Sequence, residues 1–231
     1  MKSPNLLLLH GALGSKAQLI KLAKELEGKY TVYSLNFEGH GGRSSQEDFS
    51  IELFANNVLA FLREHQISQT NIFGYSMGGY VALLLASQHP ELVARMVTFG
   101  TKFDWNPEAA RKEVKMLNPA VIEEKVPKFA AHLKSVHHPA NWKEVLSKTA
   151  NMMIALGDAP PLTPSELAKI DHRVLIGIGN QDNMVSLAES QATAATLRNG
   201  QLRILDGFQH PIEKNDLTEL ATVIYEFMDQ G

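Results

Sequence analysis

Ser76 lies within Gly74-Tyr75-Ser76-Met77-Gly78, a G-x-S-x-G pattern. A serine so placed can act as a nucleophile if three helpers reach it: a base to take its proton, an acid to orient that base, and N–H donors for the oxyanion. The pattern alone is weak, because at average Gly and Ser usage it arises by chance in about one chain of this length in ten. Its partners therefore carry the argument. In an open α/β sheet the site lies at the carboxyl ends of the strands, so the helpers must stand in loops directly after strands. "GNQDNMVS" follows the apolar run 174–178 and places Asp182 there, and "DGFQHPIEK" follows 202–205 and places His210 at the next strand end. The chain order Ser76, Asp182, His210 names a candidate nucleophile, acid and base for acyl transfer.

The elements that must position these residues are short β-rich runs alternating with longer helical patterns, which predicts parallel strands joined by helical crossovers. The fold class expected is α/β: an open, mainly parallel sheet of about six strands with helices on both faces. The strands are expected at 5–9, 31–35, 71–74, 93–99, 174–178 and 202–205. The first is apolar throughout after Asn5, as a strand covered on both faces should be. Helical spacing predicts helices over about 15–27, from about Ser50 (an N-cap with Leu53, Phe54, Val58, Leu59 and Leu62 behind it), through "SMGGYVALLLASQHP", and over about 212–228. Ser76 thus falls between a strand and a helix, the context a nucleophile on a sharp turn requires. Gly74 and Gly78 are expected where the turn leaves no room for a Cβ, and Gly79 where the helix must approach the sheet. From 102 to 162 the rhythm changes: apolar residues fall in short helical blocks, and prolines 107, 119, 127, 139, 160, 161 and 164 lie in or just beyond this stretch. A core of residues 1–101 and 163–231 with a helical cap insertion at 102–162 is the expected organisation.

Taken with "HGALGS" after the first strand, the order Ser76, Asp182, His210 closely resembles the α/β-hydrolase superfamily over nearly the whole chain. The resemblance implies that the backbone N–H of Ala12 supplies one oxyanion donor. It assigns the second to the N–H of Met77, directly after the nucleophile at a helix N-terminus, where the dipole also favours negative charge. It implies a cofactor-free serine hydrolase, carboxylesterase-like, acting on a small or medium acyl ester or thioester, with no metal. There are departures. The first strand stands where the family's third stands, so the antiparallel edge strands are expected to be absent. The loop "FEGHGGRS" resembles the family's G-H-G-x-S segment with one extra residue, and Asn36 stands where Asp is common. Asp104 is a rival acid, because some members place the acid after the fourth strand; Asp182 is favoured. The scaffold also serves lyase or carbon-carbon hydrolase chemistry on dicarboxylated rings, which wants several arginines where only Arg43 and Arg111 are within reach. Perhydrolases need the same triad, and small-ligand receptors of this fold turn over slowly or not at all.

Composition sets the remaining bounds. With 231 residues, 44% apolar and 20% charged, the chain suits one soluble domain, and its net charge of −3 leaves no basic footprint for nucleic acid. No cysteine is present, so disulfides and thiol chemistry are excluded and the cytoplasm is favoured. The N-terminus offers only four leucines, Leu6 to Leu9, too few for a signal peptide, and no stretch is long enough to span a membrane. A monomer or homodimer with a small-molecule ester substrate is expected. His10 and His40, in glycine-flanked loops, read as architectural. His132, His137 and His138 share no helix face, so a metal site is not expected and they read as surface residues. Leu13, Phe103, Trp105, Leu117, Phe129, Trp142, Met152, Met153 and Leu156 are candidates to line an acyl pocket, most of them expected instead to bind the insertion to the core. The lysines from 102 to 148 alternate with acids including Asp104, Glu108 and Glu113, and read as a solvated helical face implying no anionic substrate.

Overall fold

The computed structural model describes residues 3–229. Met1 and Lys2 of the N-terminal targeting reading, and Gln230 and Gly231 at the end of the expected core, lie outside them. Six strands form one parallel sheet in the order β2-β1-β3-β4-β5-β6. They are β1 (Asn5–Leu9), β2 (Thr31–Ser34), β3 (Thr70–Tyr75), β4 (Val93–Phe99), β5 (Arg173–Gly179) and β6 (Asn199–Leu205). The helices are α1 (Ile20–Leu26), α2 (Ile51–Glu64), α3 (Met77–Gln88), α4 (Pro107–Val114), α5 (Pro119–Lys125), α6 (Pro127–His137), α7 (Trp142–Asp158), α8 (Pro164–Leu167), α9 (Leu187–Thr196) and α10 (Leu217–Asp229).

Successive strand side chains point to opposite faces, so each central strand feeds two cores. Leu7, Leu9, Ile72, Met96, Val174 and Ile176 pack under α2, α3, α8 and α9. Leu6, Leu8, Phe73, Tyr75, Val97, Phe99 and Leu175 pack under α1 and α10. That is why β1 is apolar without alternation: every one of Leu6 to Leu9 is fully buried. α3 is buried from Met77 through Ala86 because it crosses the centre of the sheet, so it shows no amphipathic stripe.

Local chemistry sets the helix starts. Ser50 accepts from the Leu53 N–H and opens α2. Asn106 and Asn118 cap α4 and α5, each followed by a proline at the first helical position, where its missing N–H costs nothing. Several prolines that marked the change of rhythm are therefore helix starters. Two expected helices differ. The stretch over 15–27 opens with a 3₁₀ turn (Lys16–Leu19) capped by Ser15 before α1 begins. The stretch over 212–228 is a 3₁₀ turn (Ile212–Lys214) and then α10, because Asp216 accepts from the Thr218 and Glu219 N–H groups and starts a new helix.

Between β4 and β5, helices α4 to α7 form a layer with a small cluster of their own: Ile122, Ala130, Leu133, Trp142 and Leu146. The remainder of α7 leaves that cluster and enters the main core through Val145, Met152 and Leu156. Among the described residues no helix is long and apolar enough to cross a membrane, and no group of three or more His, Asp or Glu is disposed to hold a metal ion.

Candidate active site

Strand β3 runs into α3 through Ser76, whose φ of +52° and ψ of −119° put a non-glycine residue in a sparsely allowed region. Such a conformation costs roughly 1–3 kcal/mol and persists only when its surroundings over-determine it. They do so here. The Ser76 N–H donates to the Phe99 carbonyl at 2.8 Å, and the Ser76 carbonyl accepts from Thr101 Oγ1 at 2.9 Å and from the Gly79 N–H at 3.0 Å. A Cβ on Gly74 would stand 2.4 Å from Gly79 Cα, so Gly74 is required by the tightness of the turn. Gly78 is required for a different reason from the one expected: its Cβ would meet the Leu9 carbonyl oxygen at 2.4 Å, so this glycine lets α3 approach the end of β1.

The loops after β5 and β6 bring their residues to this serine. Ser76 Oγ lies 3.4 Å from His210 Nε2, and His210 Nδ1 lies 2.9 Å from Asp182 Oδ2. A serine–histidine contact of 3.4 Å is long for a hydrogen bond. Asp182 is held from its other side, Oδ1 accepting from the Met184 and Val185 N–H groups at 2.8 and 2.9 Å. Burial pushes its carboxyl up, but the His210 hydrogen bond and charge, with those two N–H donors, outweigh it and leave the group below its usual value. The His210 carbonyl accepts from Tyr75 Oη at 3.0 Å, tying the histidine loop to β3. Gly100, at φ +61°, opens space beside the pair: a Cβ there would stand 3.3 Å from both Asp182 Oδ2 and His210 Nδ1. Asp104, the rival acid, is exposed and bonds to Asn106 instead.

Ala12, Ser76 and Met77 line one small cavity of about 50 Å³, together with Ile51, Tyr80, Lys102, Trp105, Met152, Met153 and Leu156. Met77 is the first residue of α3, so its N–H has no partner within the helix. Of the pocket candidates, Trp105, Met152, Met153 and Leu156 are in this lining, and Phe103 stacks behind it on Tyr80. Four are not. Leu13 packs between the main core and the α4–α7 cluster, Leu117 packs against that cluster and Trp142 is buried in it. Phe129 is 42% exposed on the outer side of α6. Position in or beside the insertion brings a residue near the sheet edge without saying which layer its side chain meets.

Residues that the sequence reading overlooked are Ile51 at the start of α2, Tyr80 one turn beyond the serine, and Lys102. Tyr80, whose hydroxyl accepts from the Leu162 N–H, is pushed up to about 12 by burial. Lys102 and Glu113 are not on a solvated face: Lys102 Nζ lies 3.8 Å from both Glu113 Oε1 and Glu189 Oε2, all three largely buried. His10 and His40 are fully buried and bond to the backbone, as an architectural role requires. His132 and His138 are exposed, but His137 is not a surface residue. It is fully buried against His40 and bonds to the Gly41 N–H and the Leu13 carbonyl. Asn36, where the family often has Asp, donates from Nδ2 to the Gly41 carbonyl at 3.0 Å and accepts from the Lys16 N–H at 2.7 Å. A carboxylate could make only the second bond.

Known proteins place this geometry in a family. The chain is 30% identical over 136 residues to the sn-1-specific diacylglycerol lipase ABHD11 of Xenopus laevis, a match covering 58% of this chain and 39% of that protein. It is 32% identical over 89 residues to ethanol acetyltransferase 1 of Kluyveromyces lactis, covering 38% and 24% respectively. The matched segments thus span well under half the length of these curated relatives. Among solved structures, NosK from Streptomyces actuosus superposes with a TM-score of 0.85 at 20% identity, covering 98% of this chain and 97% of that one. The α/β-hydrolase fold family matches residues 4–138, more than half of the chain. On that match and the six-stranded parallel sheet, this chain belongs to the α/β-hydrolase fold family.

Proposed function

We propose that the protein is a serine hydrolase cleaving a neutral carboxylic ester or thioester of short acyl chain through an acyl-enzyme on Ser76. The observation that carries this reading is the continuous relay Ser76 Oγ–His210 Nε2 and His210 Nδ1–Asp182 Oδ2, whose serine stands on a strained turn and lines the cavity. Ser76 attacks the carbonyl carbon as His210 takes its proton. Asp182 keeps the imidazole in the required tautomer and stabilises its cation. The developing oxyanion is met by the N–H groups of Ala12 and Met77, the latter helped by the α3 dipole. His210 then protonates the leaving alcohol or thiol and activates a water that releases the acid. Helices in residues 102–162 act as the cap, since α7 supplies Met152, Met153 and Leu156 to the cavity wall.

Two features favour a neutral substrate. The wall is mostly apolar, and its one cation, Lys102, faces two carboxylates. Arg43 is engaged with Glu38 and the Asn36 carbonyl, and Arg111 is exposed. Among the described residues, a dicarboxylated ring, the substrate class of the lyase and carbon-carbon hydrolase alternative, would therefore meet no free cationic clamp. The relatives named as acetyltransferases support a second acceptor for the same acyl-enzyme, an alcohol in place of water. The absence of cysteine favours a cytoplasmic setting.

The test is labelling by a fluorophosphonate probe read by intact mass. One adduct is expected on the wild type and none on Ser76→Ala, which should lose several orders of magnitude in kcat while keeping its fold. An unlabelled wild type would sink the proposal. Aryl esters of increasing acyl length should then show kcat/KM falling beyond short chains, and added ethanol separates transfer to alcohol from hydrolysis.

A further inference from the structure

His137 takes no part in the relay, yet it is fully buried at the last residue of α6 and both ring nitrogens end on backbone groups of the sheet's carboxyl edge. Gly41 presents an N–H, which can only donate, 3.2 Å from Nδ1. Leu13 presents a carbonyl, which can only accept, 3.1 Å from Nε2. These partners define a neutral ring with its proton on Nε2. The neutral form is the favoured one: burial pushes His137 down, and although the Leu13 carbonyl pulls the other way, the charge of His132 adds to the lowering.

Leu13 is no ordinary loop residue. It is a leucine at φ +60°, in the left-handed region, within a turn closed by the Gly14 N–H donating to the Gly11 carbonyl at 3.1 Å. Ala12 is the other central residue of that turn and lines the cavity beside Ser76 and Met77. The strain at Leu13 must be held from outside the turn. Two groups of the insertion do so: the Nε2–H of His137 on its carbonyl, and the Ile122–Leu146 cluster on its side chain. We infer that His137 is a positioning residue for the oxyanion: by fixing the Leu13 carbonyl it sets the direction of the Ala12 N–H, so the insertion acts on the rate of acyl transfer as well as on the pocket wall. This rests on the proposed role of Ala12.

Three variants of the full chain test it. His137→Leu removes both bonds. His137→Asn places its amide near the Nδ1 position and can reach Gly41 but not Leu13, so it removes one bond with less disturbance. His137→Gln carries an acceptor and a donor about as far apart as the two ring nitrogens and can restore both. Misplacing a catalytic group by about 1 Å costs about 100-fold. His137→Asn should therefore lower kcat on a short aryl ester by roughly 10- to 100-fold with KM within about twofold, and His137→Gln should recover most of it. A trifluoromethyl ketone, which forms a tetrahedral oxyanion on the serine, should lose affinity in His137→Asn by the same factor as kcat/KM, while its non-electrophilic methyl ketone counterpart binds as before. A purely structural role would lower thermal stability without separating the two ketones. If His137→Asn folds and both kcat and trifluoromethyl ketone affinity stay at wild-type values, the inference is overturned. The failure of the underlying reading looks different, since the wild type itself would then neither label with fluorophosphonate nor distinguish the two ketones.

Discussion

Ser76, Asp182 and His210 stand on short loops whose ends are gripped by hydrogen-bonded strands, whereas α4 to α7 rest on a cluster of five apolar side chains and one helix that enters the main core. At the sheet edge each residue is over-determined. Both backbone groups of Ser76 are bonded, both Asp182 oxygens are occupied, and the His210 carbonyl is tied to Tyr75. In the α4–α7 layer Met116, Val121, Val126, Phe129 and Ile154 are exposed, and it meets the turn of Ala12 and Leu13 through His137 and the side chain of Leu13. A position held by several independent bonds has one geometry, while a layer held by few can change its outer surface freely yet must keep the contacts it makes inward.

The largest effect that would sharpen this contrast is at the sheet edge. Asp182→Asn keeps the shape of the loop but favours the wrong histidine tautomer, so kcat should fall by about 10⁴-fold with the fold intact. Steady-state kinetics beside a circular-dichroism melt checks it, and a loss below about tenfold would transfer the acid's role elsewhere. In the sheet itself Leu8→Ala opens a cavity under a fully buried strand and should cost about 3–5 kcal/mol. Leu133→Ala, in the small cluster of the insertion, should cost nearer about 2 kcal/mol because that site can collapse around the loss. Urea unfolding of both variants measures the gap, and equal costs would mean that the small cluster is packed as rigidly as the sheet.

Acid should expose the next effect. His10, held down to about 4 chiefly by burial, and His40 and His137, lowered for the same leading reason, are neutral when folded but accept protons near 6.5 when unfolded. Their contribution is therefore complete above about pH 6.5 and is lost as pH falls toward the folded values. Asp182 has the same sign at lower pH: its stabilisation is present above the ordinary carboxylate value of about 4 and lost as pH falls through its lowered one. The melting temperature should thus begin to fall below about pH 6.5, by roughly 5–10 °C before pH 4, and His137→Gln should flatten the slope. A melting temperature constant down to about pH 4.5 would contradict neutral burial of the three rings. The smallest effect is on the outer face of the insertion, where Phe129→Ser should change stability by less than about 0.5 kcal/mol and leave kcat/KM unaltered.

Much of the sheet edge was legible in the sequence because its determinants are local. The β4 bounds 93–99 match the reading, β1 did so at 5–9, and the other strands differ by a few residues at their ends. Parallel crossovers place every post-strand loop on one edge, so reading the residue after each apolar run brought Ser76, Asp182 and His210 to one point without any knowledge of distances. The inserted layer resisted the same treatment. His137 lies 96 residues from Gly41 and 124 from Leu13, and no spacing rule links a helix terminus to loops so distant in the chain. Lys102 and Glu113 looked solvated because their burial depends on Glu189 and on packing that sequence periodicity does not encode.

The parallel α/β sheet and the chain order of the loops that carry Ser76, Asp182 and His210 could thus be read from the chain alone, since strand, turn and cap preferences act over a few residues. Tertiary packing, by contrast, sets which side chains wall the cavity, which glycine serves the turn and which the helix–sheet approach, and that His137, read as a surface residue, bonds to the loop of Ala12. Those outcomes depend on non-local packing, where a residue's role is set by whatever the rest of the chain lays against it.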